Sequence, residues 1–339
     1  MLLLSKEDIQ KVFTMRDAID ADKQAFILHS QGKSEVPLRT KIPAPKHEGV
    51  FLFMPSYVED LDIAALKIIN IFPNNIDQGI PSAPAQVLLI NGSTGVVEAV
   101  LDGTYVTQLR TGAATGAAFD VLARQDARIG ALIGTGGQAA TQLEAMLAAR
   151  ALEEIRVYDL NIERTKEFAR SMQEELSSYG ARIVAVGSSD EAIEDADLIV
   201  TVTPSCLPVF DGNKVKAGAT VSCVGAYQPH MQEMDPVILT RASKIYFDSK
   251  EAVLSESGDI LIPLADGTIT EEDFTGDLGD LLLGKIVGRE NEDEIIVFET
   301  VGIGTQDLVT AKTIYDRAVE KEIGLKWGEA ETPRPAIMA

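Results

Sequence analysis

Apolar residues in the first third of the chain follow two different rhythms. Near the N-terminus they recur at helical spacing; Ser5 before the first such run predicts a capped helix, and a second helix is predicted over Met15–Gln31. Beyond Pro37 they form runs rich in Val, Ile, Leu and Phe, which predict strands over Val50–Pro55, Ala64–Phe72 and Ala85–Ile90. The stretch Asn91-Gly92-Ser93-Thr94-Gly95 is typical of a hairpin turn. We therefore expect an antiparallel sheet that closes on itself or packs on helices.

From about residue 119 short apolar runs alternate with amphipathic segments. The predicted strands are Arg128–Ile133, Ile155–Tyr158, Arg182–Val186, Leu198–Thr203, Ala219–Val224 and Lys244–Phe247. The predicted helices between them are Gln138–Ala151, Glu163–Ser177 and Asp190–Asp195. This alternation is typical of βαβ units and predicts an α/β fold with a parallel sheet. A last amphipathic helix, Asp307–Lys321, is expected to return to the first domain.

Length and charge limit the class of protein. The 339 residues correspond to about two domains at roughly 150 residues each. Acidic residues outnumber basic ones by 52 to 30, which argues against binding to nucleic acid or to anionic membranes. No apolar stretch approaches the roughly 18 residues of a membrane span, and the N-terminus does not resemble a signal peptide. We therefore expect a cytoplasmic protein.

Cysteine and histidine are scarce. Cys206 and Cys223 cannot form a disulfide framework, which fits a reducing compartment. His29, His47 and His230 lack the spacing of paired metal ligands, so we expect no structural zinc site and assign no metal.

A glycine-rich stretch predicts a nucleotide site. It reads Gly134-Thr135-Gly136-Gly137-Gln138-Ala139 and follows a predicted strand at the start of a predicted helix. Such a loop lets the backbone approach a pyrophosphate at a helix N-terminus, although it could also be a purely structural turn. Asp159 closes the next strand, where a ribose-binding carboxylate belongs, and it favours NAD(H) over NADP(H). Arg164 is either a solvated helix residue or a partner for a 2′-phosphate.

Three cations in the first domain are candidates for substrate binding. Arg39, Lys67 and Arg110 each stand among apolar or small residues, and Lys67 lies inside a strand-like run. A lysine there either extends to the sheet edge or is buried for a functional reason. The residues alone leave both interpretations open.

These motifs together resemble the ornithine cyclodeaminase/μ-crystallin family. The resemblance covers nearly the whole chain in order. The matching segments are Pro37 with Arg39, Phe53-Met54-Pro55, Lys67-Ile68-Ile69-Asn70, Leu101-Asp102-Gly103-Thr104, Arg110-Thr111-Gly112-Ala113-Ala114, the loop from Gly134 to Ala139, Thr201-Val202-Thr203-Pro204-Ser205, Phe298-Glu299-Thr300-Val301-Gly302 and Asp307-Leu308.

The resemblance implies a Rossmann domain, a doubly wound parallel sheet over 119–302, inserted into an α+β substrate-binding and dimerisation domain over 1–118 and 303–339. Family members are typically homodimers. By position, Arg39 and Arg110 would bind the substrate α-carboxylate, and Lys67 would contact the same group or the reacting nitrogen and could donate a proton. Thr111, Thr203, Pro204 and Gly225 would line the cofactor together with the glycine-rich loop.

One position departs from the family pattern. Cyclodeaminases and related alanine dehydrogenases carry an aspartate where this chain has Tyr227, two residues after Gly225. A tyrosine supplies no negative charge at neutral pH to position or deprotonate an amine. Glu233 or Asp235 could substitute, although each is as easily part of a loop or a helix start, and His230 is expected at the surface. We assign Tyr227 to the substrate site.

Three hypotheses follow from the resemblance. The first is an NAD(P)H-dependent reductase of cyclic imino acids, of the type that converts Δ1-pyrroline-2-carboxylate to L-proline. The second is ornithine cyclodeaminase, which uses NAD catalytically and releases ammonia, or a related amino-acid dehydrogenase. The third is a non-catalytic protein that binds NAD(P)H or another ligand, as crystallins do. Tyr227 favours the first.

Overall fold

The computed structural model describes residues 1–37 and 39–328. Its strands are β1 (Leu2–Leu4), β2 (Ser34–Glu35), β3 (Thr40–Ala44), β4 (Gly49–Val58), β5 (Ile63–Ile71), β6 (Ala85–Asn91), β7 (Val97–Asp102), β8 (Ile129–Ile133), β9 (Glu154–Tyr158), β10 (Arg182–Ala185), β11 (Leu198–Thr201), β12 (Thr220–Cys223), β13 (Lys244–Phe247), β14 (Gly276–Asp277), β15 (Ile296–Glu299) and β16 (Leu325–Lys326). Its α-helices are α1 (Lys6–Val12), α2 (Met15–Ser30), α3 (Gly103–Leu122), α4 (Ala139–Ala149), α5 (Ile162–Glu175), α6 (Ser189–Ile193), α7 (Pro236–Arg241), α8 (Lys250–Glu256), α9 (Gly258–Ala265), α10 (Leu278–Leu282) and α11 (Gly304–Glu320).

The first sheet is built from the N-terminal strands and β16, in the order β16-β1-β7-β6-β5-β4-β2, with β3 also paired to β4. Its strands run antiparallel except β1 and β7, which pair in parallel. Alternate residues of β4 and β5 are buried, and α11 packs against both strands. Among the described residues the sheet stays open, so packing on helices is the arrangement found, not closure.

The second sheet is parallel throughout and has the order β10-β9-β8-β11-β12-β15-β13-β14. The chain leaves β8 toward β9 on one side and later returns to β11 on the other, which creates a switch point beside β8. The predicted doubly wound Rossmann sheet is therefore confirmed. The sequence pattern missed β15, a four-residue strand that follows the charged segment 289–294 and ends in a buried glutamate.

Helix α3 was not predicted, although it is the longest helix in the described chain. It is buried on almost every side, so its sequence lacks the polar face that marks an amphipathic helix. Glycines permit the close contacts: a side chain at Gly112 would overlap the backbone of Thr141 in α4, and one at Gly116 would overlap Ile19 in α2. The proposed boundary at 118/119 falls inside α3, and residues 329–339 of the proposed first domain lie outside the described chain. The division into domains stays a prediction.

Helix α11 packs against α2, α3, β4 and β5, so the predicted return of the last helix to the first part of the chain is confirmed. Within residues 1–37 and 39–328, the helices lack the combination of length and apolar character that a membrane crossing requires.

Candidate active site

The glycine-rich loop lies at the carboxyl end of β8 and leads into α4. Gly134 has φ +110°, and a side chain there would come within 2.8 Å of the Val202 carbonyl oxygen. Gly136 and Gly137 have no atom within 4 Å of the position of an added Cβ, so open space lies above their backbone. Ala139 is fully buried, which lets α4 approach the sheet. An open backbone at a helix N-terminus fits the pyrophosphate of a dinucleotide.

Asp159, at the end of β9, is held by this loop and by Arg164. Its Oδ2 accepts hydrogen bonds of 2.9 Å from the backbone and hydroxyl of Thr135, and Arg164 Nη2 lies 2.7 Å from both carboxylate oxygens. Burial opposes ionisation, but the hydrogen bonds from Arg164 and the loop outweigh it and lower the pKa of Asp159. Arg164 therefore pairs with the predicted ribose-binding carboxylate, and its alternative role as a partner for a 2′-phosphate stays a prediction.

The centre of the substrate candidate is a buried triad. Lys67 on β5 and Arg110 on α3 both contact Asp307 on α11, with Lys67 Nζ 2.6 Å from Oδ2 and Arg110 Nε 3.2 Å from Oδ1. All three residues are buried, and Lys67 is 1% exposed, so it does not extend to the sheet edge. Two cations share one carboxylate, which leaves one positive charge in excess while Lys67 is protonated.

Burial and a neighbouring cation weaken the hold of Lys67 on its proton. Desolvation is the largest cause and the charge of Arg110 the next, and together they outweigh the attraction of Asp307. The pKa of Lys67 is lowered to about 7. An amine with this pKa can give up and regain a proton near neutral pH.

Arg39 lies beside the triad and has its own acidic partner. Its Nη2 is 2.8 Å from Glu256 Oε2 and 3.4 Å from the Gly302 carbonyl oxygen. Gly302 has φ +82°, and a side chain there would overlap the guanidinium of Arg110. Asp248 holds this turn by accepting from the Gly302 backbone N–H at 2.6 Å. The turn between β15 and α11 thus brings together Arg39 and Arg110, which are far apart in the chain.

The loops after strands β11 and β12 form another side of the candidate site. The backbone N–H groups of Thr203 and Gly225 both donate to the carboxylate of Glu233, which is fully buried. Pro204 is exposed beside Thr203, and Tyr227 is exposed at 36% in the loop after Gly225. The predicted cofactor residues Thr203 and Gly225 are thus joined through Glu233.

The remaining predicted residues are also placed. Thr111 is half-buried next to Arg110, and its carbonyl oxygen accepts from Gln142 Nε2 at 2.9 Å. Gln138 caps α4 without a side-chain hydrogen bond to it. Asp235 caps α7 and is therefore a helix start, and His230 is exposed, as expected.

Sequence reasoning did not predict that three acidic residues bind the other residues of the site. Asp307 was recognised only as part of a family motif, Glu233 only as an alternative amine partner, and Glu256 not at all. Asp307 lies in the first turn of α11, Glu233 in a loop and Glu256 at the end of α8, and acidic residues are common at such positions without any function.

Comparison with known proteins places the chain in a family. The ornithine cyclodeaminase/mu-crystallin family model matches residues 1–322. A Δ1-pyrroline-2-carboxylate reductase of Bacillus cereus is 35% identical over 324 residues, 96% of this chain and 98% of that protein.

Two solved structures match almost the whole chain. The Δ1-pyrroline-2-carboxylate reductase of Thermococcus litoralis, in complex with NADH and L-proline, has a TM-score of 0.91 at 39% identity and covers 96% of this chain and 100% of that chain. An archaeal alanine dehydrogenase dimer with bound NAD has a TM-score of 0.87 at 33% identity and covers 97% and 99%. The predicted family is confirmed.

Proposed function

The chain belongs to the ornithine cyclodeaminase/mu-crystallin family, and from this premise we propose that it is an NAD(P)H-dependent reductase of cyclic imino acids, of the type that converts Δ1-pyrroline-2-carboxylate to L-proline. The observation that carries the proposal is the buried triad of Lys67, Arg110 and Asp307 beside the turn that follows β15 of the second sheet. The resemblance to two reductases of this substrate, over nearly the full length, supports it.

The charge of the triad suits a small carboxylate. With Lys67 protonated, its two cations and one anion leave a net charge of +1, which one substrate carboxylate would neutralise. Arg110, with Arg39 beside it, offers the planar donors that bind a carboxylate through two hydrogen bonds. A ring that bears a carboxylate would thereby have its imine carbon fixed relative to the sheet edge.

The residues of this chain then have separate tasks. NADH supplies a hydride to the imine carbon when it is bound. Arg39 and Arg110 hold the carboxylate, and the surrounding apolar core excludes water from the reacting atoms. Lys67, with its pKa of about 7, delivers a proton to the ring nitrogen, so that the carbon–nitrogen double bond becomes a single bond and the nitrogen an amine.

NAD(H) is the proposed preferred cofactor, bound by the loop from Gly134 to Ala139, by Asp159 and by Thr111, Thr203, Pro204 and Gly225. The open backbone at Gly136 and Gly137 fits a pyrophosphate, and the ionised Asp159 suits the two ribose hydroxyls. Arg164 must move from Asp159 for those hydroxyls to bind. Its side chain is 57% exposed, so this movement costs little packing.

A homodimer formed through the first sheet is part of the proposal. The face of this sheet away from Lys67 carries half-buried apolar residues in register: Phe53 opposite Ile68, and Leu66 opposite Leu88. A second copy of the chain would cover this face. Sedimentation of Leu66→Lys is expected to show monomers where the unmodified protein shows dimers; dimers of unchanged affinity in the variant would place the interface elsewhere.

Oxidation of NADH in the presence of Δ1-pyrroline-2-carboxylate tests the reductase, with L-proline identified as the product. Two parallel assays test the alternative activities, ornithine cyclodeaminase and alanine dehydrogenase. They measure ammonia release from L-ornithine with trace NAD, and NAD reduction by L-alanine. Tyr227 in place of the family aspartate leads us to expect little turnover in both. Turnover of ornithine or alanine without imine reduction would overturn the proposal.

A further inference from the structure

Glu233 lies between the loops that follow β11 and β12. Its side chain is fully buried, and its two oxygens accept from different loops: Oε1 from the N–H of Thr203, after β11, and Oε2 from the N–H of Gly225, after β12. One carboxylate therefore fixes the spacing between the two segments at this level.

A second carboxylate holds Glu233 itself. Asp259 Oδ1 accepts from the backbone N–H groups of Glu233 at 2.7 Å and of Met234 at 2.8 Å. The Glu233 carbonyl oxygen in turn accepts from Val209 N–H at 2.8 Å. The side chain is thus bound to the loops after β11 and β12, while the backbone is held by Asp259 in α9 and by Val209.

In a doubly wound sheet, a dinucleotide crosses the carboxyl ends of the strands at the switch point. Its adenosine half belongs over β8 and β9, where Asp159 lies, so its nicotinamide half belongs over β11 and β12. The loops that Glu233 joins are the ones on that side. Gly225 also allows no side chain, because an added Cβ would overlap both Thr203 O and the Glu233 carboxylate.

We propose that Glu233 is a positioning residue that sets the separation of the loops after β11 and β12 and thereby seats the nicotinamide ring. The inference rests on the proposed function, since it presupposes that NADH binds at this edge. Only a group with two acceptor oxygens fits the arrangement. A glutamine would keep one oxygen and turn an NH₂ group toward a backbone N–H that needs an acceptor.

Burial and hydrogen bonding have opposite effects on the charge of Glu233. Burial and the nearby charge of Asp259 raise the pKa of Glu233 to about 8, while the N–H groups of Thr203 and Gly225 lower it. The two N–H groups favour the ionised form, because only in that form do both oxygens act purely as acceptors. The contacts of Glu233 are all structural; no substrate or reacting atom is needed to explain its burial.

The test is Glu233→Gln, with Glu299→Gln as the matched control. Glu299 is equally buried, at the end of the adjacent strand β15, but its oxygen accepts from the Ser257 hydroxyl and not from a loop N–H. Burial raises the pKa of Glu299 well above its ordinary range, so its neutral amide counterpart is expected to fit.

NADH affinity, measured by fluorescence titration without any imine, is the first readout. We expect Glu233→Gln to bind NADH about tenfold or more weakly, because a buried N–H loses its acceptor, and Glu299→Gln to bind it normally. The second readout is stereochemical: NADH deuterated on one face of C4 should transfer its label less selectively in Glu233→Gln, which a loss of stability alone would not cause.

Each outcome decides the matter. Wild-type affinity and label transfer in a folded Glu233→Gln would overturn the inference, as would equal losses in the control. Should Glu233→Gln not fold, Glu233→Asp takes its place: it keeps the charge but is one methylene too short for both loops, and unchanged NADH affinity would overturn the inference. A wild-type protein that binds no NADH would instead remove the proposed function.

Discussion

The amino group of Lys67 is expected to control turnover near neutral pH. Its pKa falls from 10.5 to about 7, a difference of about 5 kcal/mol at roughly 1.4 kcal/mol for each pKa unit. The causes are burial and Arg110, opposed by Asp307. Because the acid form is the proton donor, activity should be lost as pH rises: about half of the amines are protonated at pH 7, about a tenth at pH 8 and about a hundredth at pH 9.

The assay is kcat/KM for the imine at saturating NADH between pH 6 and 9, since this parameter reports groups of the enzyme–NADH complex before the imine binds. We expect a decline that approaches tenfold for each pH unit above 7. The imine also titrates, so Lys67→Arg is the control: it keeps the positive charge but cannot release a proton, and its residual activity should no longer decline with that midpoint. A flat wild-type profile to pH 9, or the same decline in Lys67→Arg, would refute the role assigned to Lys67.

Four further changes test the binding residues. Asp159→Asn should weaken NADH and strengthen NADPH binding, and Arg164→Ala should weaken NADPH alone, each by about tenfold; identical changes for both cofactors in fluorescence titrations would contradict this. Arg39→Lys should raise the KM for the imine by about tenfold or more while NADH affinity stays constant, because a lysine cannot form the paired hydrogen bonds; an unchanged KM would exclude carboxylate binding by Arg39. Gly225→Ala should abolish NADH binding because its methyl group overlaps Thr203 O, and normal affinity would show that the loops can separate freely.

The parallel sheet and its nucleotide loop were accessible to sequence reasoning because their signals are local. Strand, glycine turn and helix follow one another between Ile129 and Ala149, and the carboxylate Asp159 closes the next strand. Lys67 was noticed for a similar reason, since a cation inside an apolar strand contradicts its surroundings. The partner of Arg164 could not be predicted in this way. It depends on how α5 packs beside the glycine-rich loop, and the spacing of residues in the sequence does not show this.

The missed features depend on distant contacts. Helix α3 is buried nearly all round, so its pattern lacks the period that identifies a helix at the surface. Glu233 and Asp307 are ordinary acidic residues in sequence, and only the folded chain shows that one joins two strand ends and the other joins two cations. Sequence identifies a misplaced charge more easily than the residue that compensates it.

Asp307 is that compensating residue for Lys67 and Arg110, and Asp307→Asn tests its role. The variant leaves buried Arg110 without a counter-charge, and Lys67 also while it is protonated, so the free energy of unfolding should drop by about 3–5 kcal/mol. Asp307 also raises the pKa of Lys67, so its loss should lower that pKa further and move the decline of kcat/KM to lower pH.

The control is Asp316→Asn on the same helix α11, where an exposed carboxylate pairs with Lys312 and contributes little. L-Proline should raise the melting temperature of Asp307→Asn more than that of the wild type, since its carboxylate would restore the missing negative charge between Lys67 and Arg110. An equal rise in both proteins would mean that the amino-acid carboxylate binds away from the triad, and the assignment of Arg110 to substrate binding would then be wrong.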